Sequence, residues 1–341
     1  MFLHTCESEG IAALLAHQLH QNPQLDDCPQ ALLEKLKVLE LQSVAGDLRR
    51  QPEIKRVLSL FVEAGLDFIV LKGEALAHTL YPASYLRTRC DTDLLFRDKQ
   101  ATEKVWSILK AEGYGRNQTL EGEFVGYQYG CSKPLRSGLT ITFDIHNQVS
   151  DFVWFARKFP FQALYANSIR ATIVGQEVNV LSKPYALCHA CLHRVSNKPH
   201  GTQDRLIWLY DIHLLCEALT ENESLEFLAI VEEKGLAGIC MQGILQAERY
   251  YGTCIQDSSR DRLCELATRE PEGLSRVGRR SELYIRDFLA NEGIVNKAKQ
   301  LREHLLPSSA YMMGKYSIQH KWLLPYFYIK RIFLGAIKYN R

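Results

Sequence analysis

Two aspartates two residues apart, Asp91 and Asp93, open the apolar run Thr92–Phe96. Such a run reads as a buried strand, and strand side chains at i and i+2 point to the same face. The two carboxylates are therefore expected to converge on one point. Like charges that close repel unless a cation neutralises them or one takes up a proton. A hard divalent cation that prefers oxygen ligands, Mg2+ (or Mn2+), is the natural solution. A third acid, Asp144, lies in another apolar strand, Thr140–His146. If that strand runs beside the first, Asp144 joins the cluster, and three carboxylates suit two metal ions and in-line phosphoryl transfer. Asp-x-Asp alone is common in surface turns; the setting of these acids in apolar strands is what gives them weight.

A turn upstream adds to the case. Residues 67–71 read as a short buried strand closed by Lys72-Gly73, and 74–81 as a helix ending before Pro82. Glycine at such a turn lets the backbone approach a ligand closely. The following helix N-terminus offers unpaired N–H groups and the positive end of a dipole to a phosphate, and Lys72 can add a point charge. Glu74 competes with a phosphate there, although an acid in a first turn favours the helix itself. Arg87 and Arg89 lie next to the acids, where each can meet a phosphate or form an ion pair that orders the carboxylates. His146 follows Asp144 by two and shares its face. It can touch substrate, orient a carboxylate, or serve as a hydrogen-bonded structural histidine.

The 341 residues, 46% of them hydrophobic, suffice for a sizeable core and two or three domains. Helical spacing runs through 7–64, and 101–112 reads as a helix stopped at Gly113. Residues 127–131 and 139–145 read as strands, 174–180 as a strand pair around Gly175, and 184 onward as helices. Strands bracketed by helices imply an α+β chain. Its expected parts are a helical region (1–65), a small mixed-sheet core with flanking helices (66–182) and a mostly helical region (183–341).

Ten scattered cysteines do not make a disulfide scaffold, and residues 1–14 lack the pattern of a secretory leader. A reducing, cytoplasmic setting is expected. His189 and His193, at i and i+4 on a helix, have zinc-binding spacing, but no third ligand is apparent and Cys188-x-x-Cys191 has no second pair. They read as core-facing. Asp211 reads as a helix-pairing residue that could reach the site. From 298 to 341 the chain carries eight Lys/Arg against one acid, Glu303. That segment can be a solvated helical face or can meet a membrane surface or an acidic partner. The stretch 322–334 is too short to span a bilayer and is interrupted by Pro325, Lys330 and Arg331. No base-reading motif is present, so no nucleic acid partner is expected.

The segments Leu71-Lys-Gly-Glu-Ala-Leu-Ala77, Arg87-Thr-Arg-Cys-Asp-Thr-Asp-Leu-Leu95 and Phe143-Asp-Ile-His146 together resemble the uncharacterised nucleotidyltransferase family. That group sits within the DNA polymerase β-like nucleotidyltransferase superfamily. Arg87, four residues before Asp91, matches an arginine of its pattern. Weaker similarity extends over roughly 10–335. The resemblance implies a small mixed sheet, with Asp91, Asp93 and Asp144 holding metal ions and an NTP. Asp144 would accept the attacking hydroxyl's proton. A nucleoside monophosphate would pass to an unidentified hydroxyl acceptor as pyrophosphate leaves. This chain has Lys72-Gly73-Glu74 where the superfamily has Gly-Ser or Gly-Gly, and Thr92 between the acids in place of an aliphatic residue. A non-catalytic nucleotide-binding accessory protein and a membrane-associated helical scaffold are the alternatives.

Overall fold

The computed structural model describes residues 1–21, 28–117, 119–120, 122–136, 138–197, 204–270 and 280–339. Part of the expected N-terminal helical stretch (22–27) and the last two residues of the basic segment lie outside these. Helices α1 (Phe2–Ser8), α2 (Ala12–Gln21) and the long α3 (Gln30–Glu63) come first. The strands follow: β1 (Phe68–Val70), β2 (Thr92–Phe96), β3 (Gly115–Arg116), β4 (Gln128–Pro134), β5 (Thr140–His146), β6 (Ser168–Ile173) and β7 (Gln176–Leu181). Between them lie α4 (Lys72–Thr79), α5 (Lys99–Ala111), α6 (Val153–Lys158) and α7 (Phe161–Ala166). Helices α8 (Lys183–Asn197), α9 (Leu206–Ala218), α10 (Glu221–Lys234), α11 (Ala237–Tyr251) and α12 (Asp257–Arg269) form the next group. The last is α13 (Arg280–Ala290), α14 (Ile294–Leu305), α15 (Ser309–Lys315) and α16 (Leu324–Tyr339).

All the strands join one mixed sheet of order β3-β4-β5-β2-β1-β7-β6. The pairs β2/β5 and β1/β7 are parallel and the rest antiparallel. The architecture is α+β, as expected, with a seven-stranded sheet wider than the small one foreseen.

Strand alternation sorts two cores. Val70, Leu94, Phe96, Phe143 and Ile145 face one way and pack on Ile54, Leu58 and Phe61 of α3 and Val105 and Leu109 of α5. Ile69, Leu71 and Leu95 face the other way, toward Leu187 and Leu192 of α8 and Ile207 and Ile212 of α9. Phe61 meets Phe68 and Phe96 edge-on, with ring centroids 6.0 and 5.6 Å apart. Asp93 shares the side of Leu95, so it faces the α8–α9 layer.

Candidate active site

The parallel register sets Asp93 directly opposite Asp144, and Leu95 opposite His146. Two neighbouring strands thus put three polar side chains on one face. Their ligand atoms, one each from Asp93, Asp144 and His146, lie within 4.8 Å of one another. Asp91 lies one residue before β2, at the strand start where the sequence placed it. It lines the same cavity, whose volume is about 360 Å³, within the range of small-molecule sites.

The carboxylates differ in environment. Asp93 is buried. It accepts from the Lys72 ammonium at 2.7 Å and sits 3.0 Å from His146 Nε2. Burial would raise its pKa, but Lys72 and His146 hold it well below the usual range. The side-chain carboxylates of Asp91 and Asp144 have no hydrogen-bond or ion-pair partner among the described residues. Burial, then the charges of Asp93 and Asp144, lift Asp91 to about 6. Burial, then Asp93, lift Asp144 as well. Two under-neutralised carboxylates beside a third are a donor set that fits a hard cation.

His146 is buried, and burial lowers its pKa against the opposing pull of Asp93. Its Nε2 faces Asp93 while its Nδ1 has no partner among the described residues. That geometry suits a histidine that orients a carboxylate.

Lys72 and Gly73 open α4 at the cavity wall. Lys72 has φ +49°, in the left-handed region. Just before it, Leu71 N–H donates to the Asp93 carbonyl at 3.0 Å. Burial pulls the Lys72 ammonium down, and Asp93 more than offsets this, leaving it above its usual pKa.

Glu74, foreseen as a competitor for phosphate, is withdrawn. It is buried, takes Arg89 Nε at 2.7 Å and lies 3.1 Å from His78. Burial would raise its pKa, but His78 and Arg89 bring it down to about 2.

The two arginines are engaged with protein. Arg87 Nε and Nη2 grip Asp211 at 2.8 and 2.7 Å, and Nη1 donates to the Thr88 carbonyl at 2.7 Å. The Tyr81 hydroxyl donates to the same Asp211 at 2.8 Å. Arg89 bonds Glu74, Asp47 and the Ser84 carbonyl. Of the two roles open to each arginine, these contacts are those of the ion pair that orders the loop 87–91 behind the acids. A β-carbon on Gly73 would stand 3.4 Å from the Arg87 guanidinium, in ordinary contact, so this glycine is compatible with a close ligand without being forced by packing.

His189 and His193, which sequence reading placed in the core, line the cavity opposite the strands. Burial, then Lys72, drive His189 down to about 3. The metal-type cluster found among the described residues does not include either. Arg50 was not anticipated. Buried on α3, it donates to the carbonyls of Arg89 and Asp91. Its signal was present: Asp47 and Arg50 continue the buried face that Ile54, Val57, Leu58 and Phe61 form at helical spacing.

A mixed sheet that sets an Asp-x-Asp strand parallel to a second acidic strand, with a turn and helix N-terminus at the mouth of the cavity, defines a nucleotidyltransferase-type fold. A sequence profile of the uncharacterised nucleotidyltransferases matches residues 1–252. The chain belongs to that family of nucleotidyltransferases. Among solved structures it is similar to the antibiotic-resistance factor ANT(2'')-Ia, at 16% identity over 56% of this chain and 95% of that one, with a TM-score of 0.39. It is also similar to an antigenic nucleotidyltransferase-like protein from Paracoccidioides brasiliensis, at 14% identity over 61% and 94%, with a TM-score of 0.37. No curated protein matches the chain. No helix among the described residues is long and apolar enough to cross a membrane.

Proposed function

We propose that the chain moves a nucleoside monophosphate from an NTP to a hydroxyl acceptor, using Mg2+ (or Mn2+) held by Asp93 and Asp144 with Asp91 beside them. The observation that carries this is the Asp93–Asp144 register, which brings two carboxylates and His146 together on the cavity face of the sheet. When bound, the cation would neutralise phosphate charge and polarise the phosphoryl group under attack.

The protein's own groups have separable roles. His146 Nε2 fixes the rotation of the Asp93 carboxylate. The α4 N-terminus and Lys72 face the triphosphate, where N–H groups and a cation favour negative charge. Arg87 and Arg89 act as positioning residues, because their guanidinium groups are already bonded to Asp211, Glu74 and Asp47. The carboxylates of Asp144 and Asp91 both lack a hydrogen-bond donor among the described residues and both have raised pKa values, and the family resemblance assigns the proton of the attacking hydroxyl to Asp144.

Calorimetric titration with each NTP, with and without Mg2+ or Mn2+, tests this on the native chain and on Asp93→Asn/Asp144→Asn. Metal-dependent binding is expected in the native chain and a loss of at least about 100-fold in the double variant, with circular dichroism unchanged. Binding that ignores both the metal and the substitution would sink the proposal. Metal-dependent binding without pyrophosphate release across a hydroxyl-acceptor screen would instead favour the accessory reading, for which the Lys72–Asp93 pair is the supporting observation.

A further inference from the structure

The last described segment, α13 to α16, follows the residues matched by the family profile. It carries a dense set of exposed large apolar side chains. Along the short 3-10 turn Lys321–Leu323 and α16, Trp322, Tyr326, Ile329 and Phe333 are 76, 60, 64 and 70% exposed. The spacing of Tyr326, Ile329 and Phe333 puts them on one face of α16, and Trp322 precedes them in the 3-10 turn that leads into it. The opposite side is docked: Tyr328 donates to the Pro307 carbonyl at 2.7 Å, Arg331 to the His304 carbonyl at 3.3 Å, and Phe327 lies 5.3 Å from the Tyr316 ring. The helix cannot roll its apolar face inward without breaking these contacts. Ile332 and Leu334 widen the exposed strip.

Charge supplies the second observation. From His304 to the last residue of the sequence there is no Asp or Glu, while Lys315, Lys321, Lys330, Arg331, Lys338 and Arg341 are present. Lys321 and Lys330 are exposed beside the aromatic strip. An apolar aromatic face rimmed by ammonium groups matches the headgroup layer of an anionic bilayer, where tryptophan and tyrosine sit at the boundary and lysine meets phosphate. A second copy of the chain would bring the same positive rim against itself, which is unfavourable.

We propose that the exposed face of α16 seats on an anionic phospholipid surface, with Trp322, Tyr326, Ile329 and Phe333 entering the headgroup layer and Lys321 and Lys330 meeting lipid phosphates. The attachment is peripheral, since no described helix can span a bilayer. It is independent of the nucleotide chemistry. It also has a defined route to the rest of the molecule. Glu303 of α14 accepts from the backbone N–H groups of Glu123 and Phe124 at 3.0 and 2.8 Å, and Lys299 pairs with Glu123. That loop runs directly into Tyr127 and Gln128 at the cavity wall.

Flotation of the full chain with vesicles tests the proposal. One set is phosphatidylcholine alone, and the other contains about 30 mol% phosphatidylglycerol. The chain is expected to float with the anionic set, to stay in buffer with the neutral set, and to be released from the anionic set at about 0.5 M NaCl. Trp322→Ser/Ile329→Ser/Phe333→Ser should lower partitioning by at least about tenfold, and Lys321→Glu/Lys330→Glu should do so on anionic vesicles only. These side chains are exposed, so metal-dependent NTP binding should be unchanged in both variants. Equal partitioning of the triple variant and the native chain would overturn the assignment, as would no flotation with either vesicle set. A dimer at micromolar concentration that the triple variant dissolves, seen by sedimentation velocity, would give the face to a second copy instead.

Discussion

Lys72 combines a left-handed backbone with an ammonium placed on Asp93. A non-glycine residue in that conformation costs about 1–2 kcal/mol, and the neighbouring Leu71 N–H donates to the Asp93 carbonyl. On the proposed function the ammonium and a divalent ion compete for the same carboxylate. Lys72→Ala should therefore tighten binding of Mn2+ alone, read by calorimetry, while weakening binding of the metal–NTP complex by about tenfold. Movement of both affinities in the same direction would count against a role in phosphate binding. Glu74 gives a second residue-scale test. Its pKa is lowered from the ordinary glutamate range to about 2. A depressed carboxylate contributes stability above its unfolded pKa and loses it as pH falls through the folded one. The contribution, of order 3 kcal/mol by linkage, should thus fade between about pH 4.5 and 2. In urea unfolding the deficit of Glu74→Gln should be full at neutral pH and shrink across that window. A deficit that stays constant with pH would remove ionisation as its cause.

At the scale of elements, Phe61 shows how α3 and the sheet depend on each other. Its ring is fully buried between Phe68 of β1 and Phe96 of β2. Phe61→Ala should cost about 3–5 kcal/mol and lower the thermal midpoint, with metal affinity kept once the protein is folded. The strands around the site were legible in the sequence because each is a short apolar run bounded by turn residues. Thr92–Phe96 matches the expected span, and Thr140–His146 matches within a residue. The pairing of β1 with β7 was not legible, since it joins Val70 to Val180 and no local pattern encodes a partner that distant. The acids were legible for a related reason: a charge in an apolar strand stands out where a charge in a helix does not. Glu74, Arg87 and Arg89 were visible as charged residues, but their partners Asp47 and Asp211 come from other elements, so the sequence could not decide between a phosphate and an ion pair. Asp91 was expected just before the strand, and there it lies. The ladder begins at Thr92, and the Asp91 carbonyl accepts from Arg50.

Across the whole molecule, the Arg87–Asp211 pair joins the acid-bearing loop to α9, and both partners are buried. Removing one partner of such a pair leaves the other buried without compensation. Asp211→Ala should cost about 3–5 kcal/mol, whereas Arg87→Ala/Asp211→Ala together should cost less than the sum of the two single changes. Chemical denaturation of the three variants measures this, and strict additivity would show that the pair is not coupled. The link also bears on how the chain acquires its competence. Arg87 and Asp211 are 124 residues apart in sequence, so their meeting is among the long-range closures, which come slowly because the intervening chain must be ordered first. The Arg87–Asp211 contact of the loop that carries Asp91 is complete only when α9 has docked. In refolding, nucleotide binding should therefore return with the slowest phase and lag the far-ultraviolet signal of the helices, making ligand capture a reporter of completed folding in this chain.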